Sequence, residues 1–79
     1  MKNLKQINDR IQKIVDEREA LLHTLNQYTG ALEELTYLYK KGYITKEIYR
    51  VRFDKIKEKF DVSSIIFKDL GDEANDLRP

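Results

Sequence analysis

LKQINDRIQKIVDEREALLHTLNQYTGALEELTYLY, residues 4–39, decides the fold. Alternating steps of three and four along it pick out Leu4, Ile7, Ile11, Ile14, Arg18, Leu21, Leu25, Tyr28, Leu32, Leu35 and Tyr39. Ten of these eleven are apolar or aromatic. A 3.5-residue period held this long marks a helix that buries one seam against other helices, so the spacing predicts one helix over residues 3–40. Gly30 is its weak point, since a mid-helix glycine costs about 1 kcal/mol relative to alanine. Yet Tyr28, Leu32 and Leu35 keep the alternation on both sides of Gly30, which itself falls at the outer f position when Leu4 is heptad position a. The helix therefore reads as continuous, with a three-helix chain broken near Thr29 as the alternative.

Outward from the seam, Asn3 is a candidate N-cap, and Lys5, Asp9, Lys13 and Glu17 form a solvated ladder of alternating charge. Val15 and Leu22 at position e, with Ala31 and Leu38 at g, make the apolar surface wider than a two-stranded coil needs. Lys40-Lys41-Gly42 is a helix stop: two cations over the negative end of the dipole, then a glycine free to take a left-handed conformation. Residues 41–45 read as the turn, with Thr45 as the next N-cap and Glu47 in the first helical turn.

A second, antiparallel helix is predicted over residues 46–60, its core stripe carried by Tyr49, Phe53, Ile56 and Phe60. With Leu32, Leu35 and Tyr39 these make the expected hairpin core. Asp61-Val62-Ser63-Ser64 reads as an interruption, followed by a short helical turn over residues 63–70 holding Ile65, Ile66, Phe67 and Leu70. Residues 71–79 read as a flexible acidic tail. The expected architecture is all-α: a long N-terminal heptad helix plus a shorter antiparallel one, in one helical domain that associates into a coiled coil or helix bundle.

Composition narrows the function classes. A chain of 79 residues with no cysteine has neither disulfides nor thiolate metal sites to reinforce a small core, so self-association is the expected source of stability. The seam formed by Leu4, Ile7, Ile11, Ile14, Arg18, Leu21, Leu25 and Tyr28 is where a homodimer or tetramer is expected to join. Arg18, the one charged member, either specifies register by pairing with Glu17 or Glu19 of a neighbouring copy or extends to water from a splayed seam. A net charge of +1 speaks against a whole-molecule grip on nucleic acid. No stretch has the length of a membrane span or the apolar block of a secretory leader, so a cytoplasmic location is expected.

The turn adds a resemblance. Gly42-Tyr43-Ile44-Thr45-Lys46-Glu47-Ile48-Tyr49, followed by Arg52 and Ile56 and preceded by Leu35 and Leu38, resembles the short C-terminal domain of bacterial proteins, over residues 32–57. This chain departs from that pattern at Lys46, where the family tends to be acidic, and at Lys57, where it tends to be apolar. The resemblance implies a helical hairpin acting in interaction or oligomerisation, without enzymatic activity.

Catalytic chemistry finds no foothold in the sequence. His23, the sole histidine, lies at outer position f, the carboxylates are scattered along a surface helix, and no phosphate-binding glycine motif occurs. No catalytic residue, metal ligand or cofactor is expected. The stronger candidate is basic: residues 40–59 carry eight lysines and arginines against three acids. Lys46, Arg50 and Lys57 flank one edge of the second helix's stripe and Arg52, Lys55 and Lys59 the other. Cations flanking a stripe are what a buried seam has when their stems cover its rim. Tyr37, at outer position f, is the candidate partner contact among five tyrosines. The reading favoured is a non-enzymatic protein–protein interaction module, a small adaptor or regulator of bacterial or phage type that binds itself and another protein. The alternative is a dimeric nucleic-acid-binding regulator contacting phosphates through Lys46, Arg50, Arg52 and Lys57.

Overall fold

The computed structural model describes residues 4–78 and contains two long antiparallel helices: α1 spans Leu4–Lys40 and α2 spans Lys46–Leu77. They lie side by side in a rod of 60 × 15 × 13 Å. Asn3, expected as the first N-cap, and Pro79, the end of the expected tail, lie outside the described residues. No strand occurs among the described residues.

α1 is continuous through Gly30, and the three-helix alternative is not adopted. Gly30 is exposed and faces open space, so its only effect on the helix is the backbone entropy it costs. The helix ends as its sequence requires. Gly42 has φ +79°, its N–H donates to the Tyr39 carbonyl at 3.0 Å, and the Tyr43 N–H donates to the Leu38 carbonyl at 2.9 Å. That pair of bonds is a Schellman motif, which satisfies carbonyls the helix end would leave open. Thr45 then starts α2, its hydroxyl accepting from the Ile48 N–H at 3.2 Å.

α2 differs from expectation. The predicted helix 46–60, interruption at residues 61–64, short turn 63–70 and flexible tail 71–79 are replaced by one helix running to Leu77, with Arg78 as its extended C-cap. The physical reason lies in the spacing. Tyr49, Phe53, Ile56, Phe60, Ser63, Phe67, Leu70, Ala74 and Leu77 continue the alternation of four and three without a break, and every one is buried or half-buried. Only Ser64, Gly71 and Glu73 are otherwise shielded on this helix. Asp, Val and Ser lower helix propensity by a few tenths of a kcal/mol each, too little to end a helix whose flanking turns are held by packing.

The length of α2 reassigns the α1 seam. A helix reaching Leu77 runs back along α1 as far as Ile7, so Ile7, Ile11, Ile14, Arg18, Leu21, Leu25 and Tyr28 are shielded within one chain, instead of awaiting another copy. Ile14 has no exposed surface at all, while Leu4, beyond the overlap, remains 71% exposed. Arg10, Glu17, Thr24, Ala31 and Leu38, spaced by seven at position g, form a second half-buried row. Of the expected hairpin core, Leu35 is buried, and Leu32, Tyr49, Phe53, Ile56 and Phe60 are half-buried; Tyr39 sits at the exposed margin.

Two glycine substitutions should act in opposite directions. Gly30→Ala adds a methyl into open space and should stabilise by about 0.5–1 kcal/mol, a rise of roughly 2–8 °C in Tm. Gly42→Ala forces a left-handed backbone on an L-residue and should destabilise by about 1–2 kcal/mol. Thermal melts followed by circular dichroism check both. Ile14→Asp buries an unpaired carboxylate and should abolish the helical signal altogether.

Candidate interaction surface

The surface is built on a register pinned at both ends. At the open end of the hairpin the Arg10 guanidinium meets the Glu73 carboxylate in a two-bonded fork, Nε to Oε1 at 3.0 Å and an Nη to Oε2 at 2.9 Å. Both side chains are over a third exposed, so the pair contributes little net stability; its bidentate geometry supplies direction. Glu73 and the buried Ala74 belong to the segment expected to be a loose tail. Beside the turn, Tyr39 and Tyr49 stack with ring centroids 4.7 Å apart, Phe53 follows at 5.5 Å from Tyr49, and the Tyr49 hydroxyl lies 3.3 Å from that of Thr36.

Arg18 takes neither of its expected roles. Its guanidinium lies over the Phe67 ring, 4.1 Å from the centroid, and against Gly71, where an added Cβ would stand 3.0 Å from a terminal nitrogen. Both neighbours belong to α2 of the same chain. Its Nε is enclosed without a hydrogen-bond partner, so the ring face is its main compensation. Gly71 thus has a steric reason to stand within the continuous α2: the Arg18 cation approaches so closely that a side chain there would have no room.

The basic residues form no single face. Lys46, Arg50, Arg52 and Lys57 are all exposed, but Arg50 and Lys57 follow one edge of α2 and Arg52 the other with Lys59. Tyr37 is 54% exposed, with the Lys41 ammonium 5.8 Å from its ring centroid. His23 is exposed and its ring lies 3.3 Å from the Gln27 amide. Among the described residues, no group of three or more His, Cys, Asp or Glu gathers as for a metal ion, and no helix is long and apolar enough to cross a membrane.

What sequence reading missed is the outside of α2. Ile48, Val51, Val62, Ile65 and Ile66 are all exposed large aliphatics. At 100° per residue they fall within about 100° of one another, on a face roughly 130° from the buried stripe. Ile65 and Ile66 were expected in a separate short helical turn, and Val62 in a break; the continuous helix turns all three outward. The signal was present in their spacing, which becomes readable once the helix is unbroken. Between this face and α1 runs an open groove bordered by Tyr28, Lys59, Val62 and Ser63, where the one small hydroxyl in the α2 stripe leaves a dent.

Compared with known proteins, the chain matches no family model, no curated protein and no solved structure.

The Arg18–Phe67 contact is measurable by a double-mutant cycle. Arg18→Met and Phe67→Leu, singly and together, should show a coupling of about 0.5–2 kcal/mol in urea unfolding. A coupling near zero would mean that the ring does not stabilise the cation.

Proposed function

We propose that the chain is a non-enzymatic protein–protein interaction module, a small self-associating adaptor or regulator that works in the cytoplasm. The observation that carries this reading is the balance of its apolar side chains. Among the described residues, only Ile14, Leu25, Leu35 and Ala74 are buried, while ten large hydrophobic residues are exposed, five of them along the outer face of α2. A two-helix rod with so thin a core gains stability by covering further apolar surface, and a helix face is the natural cover for another helix. The turn that resembles the short C-terminal domain, Gly42 to Tyr49, is in keeping with an interaction hairpin. The split arrangement of Arg50, Arg52 and Lys57 gives the nucleic-acid alternative no continuous basic face to present.

Absolute mass by light scattering, at micromolar concentration in low and high salt, tests the proposal. Expected is a mass above the 9.4 kDa of one chain, indifferent to salt because the association is apolar. A single-chain mass throughout, together with duplex DNA binding that weakens steeply between low and physiological salt, would overturn it in favour of phosphate recognition.

A further inference from the structure

The outer face of α2 has a symmetry that its amino acids alone conceal. Along one line of the helix stand Ile48, Val51, Lys55, Glu58, Val62 and Ile65, separated by steps of three, four, three, four and three. All six are exposed in the hairpin. Read in either direction the line runs apolar, apolar, charged, charged, apolar, apolar, and the step pattern is the same reversed. Alternating steps of three and four are what an α-helix needs to pack a second seam against another helix.

We propose that a second copy of this chain docks antiparallel on this line, with a two-fold axis passing midway between Lys55 and Glu58. Resting on the reading of the chain as a self-associating module, the inference names the face and the partner. In this register Ile48 meets the partner's Ile65, Val51 meets the partner's Val62, and Lys55 meets the partner's Glu58, each contact occurring twice. Such self-complementarity is what a closed two-fold interface demands: if residue i touches residue j, then j touches i.

Charge chooses this arrangement over its neighbours. A parallel pair would set Lys55 against the partner's Lys55 and Glu58 against the partner's Glu58. Sliding the antiparallel pair by a heptad would press charges on Ile65 and Val62. Polar groups inside an apolar seam specify register for this reason. The rims are each of one sign, Arg52 and Lys59 on one side and Asp54 and Asp61 on the other, and the two-fold sets like rim beside like; all four residues are exposed, so this repulsion lies in water, where it is weak. From Ile48 to Ile65 the line is about 26 Å long, a seam at the small end of specific interfaces. The dimer should therefore form in a range that dilution can reverse.

The chain contains no cysteine, so introduced thiols report the register cleanly. Val51→Cys and Val62→Cys chains, mixed and oxidised, should give a covalent dimer. Either variant alone should not, because like thiols stand about 16 Å apart along the helix, beyond the reach of a disulfide. Lys55→Glu should weaken the dimer about tenfold or more by facing carboxylates across the seam, and Lys55→Glu/Glu58→Lys should restore it. Cross-linking by Val51→Cys alone as readily as in the mixture, or a charge exchange that fails to restore mass, overturns the proposal. A dimer that ignores Lys55→Glu removes only this face and leaves the interaction reading standing; an unmodified chain that is monomeric at every concentration removes both.

Discussion

Two apolar stripes with the same 3.5-residue period must stay opposite one another over most of a 60 Å rod, and the rest of the structure follows from that match. A straight α-helix turns a seven-residue repeat away from its neighbour by about 20° per heptad, so the two helices remain in contact only by winding gently around each other. Nothing in a pair of smooth stripes prevents them sliding. The Schellman turn at Gly42 holds one end, the Arg10–Glu73 fork the other, and Arg18 against Phe67 and Gly71 adds a third point about two turns in from the fork. Each contributes modestly to stability, but together they make one register better than its neighbours.

The same geometry explains why the core is thin. Two helices share a single line of contact, and a residue on that line is covered from one side only. Most stripe positions are consequently half-buried, and full burial is reached where the opposing side chains close over a position, as at Ile14 and Leu35. Small residues modulate the line. Gly71 admits the Arg18 head group, whereas Ser63 leaves the dent bordered by Tyr28. Apolar residues that a larger domain would enclose are left outward, which connects the economy of the fold to its proposed role in association.

The reading of one tetrapeptide governed how much of this was legible. Where Gly30 was concerned, the phase of the flanking leucines outweighed a poor helix former, and the helix is indeed unbroken there. Asp61-Val62-Ser63-Ser64 presented the same choice, and Phe60 to Phe67, seven residues apart, keeps phase across it in the same way. Taken as a break, it shortened α2, left the seam from Ile7 to Tyr28 without a partner inside the chain, and so handed that seam to an oligomer. The acidic tail misled for a related reason: Leu70, Ala74 and Leu77 are sparse by composition, yet their spacing is that of the buried stripe.

By itself the sequence determined two helices, their apolar faces, and the turn between them, because each depends on local chemistry: a repeat of three and four, a glycine able to adopt φ +79°, a threonine able to cap. Only the tertiary structure decided what those faces meet. Arg18 was visible as a charge in a seam, but whether it meets a carboxylate, water or an aromatic ring depends on which residues of α2 arrive opposite it. Glu73 was visible as an acid in a polar tail, and only the antiparallel register brings Arg10 within 3 Å of it. Helical period is written in neighbouring residues, whereas opposition across a hairpin is set by where the turn falls and how far the second helix runs.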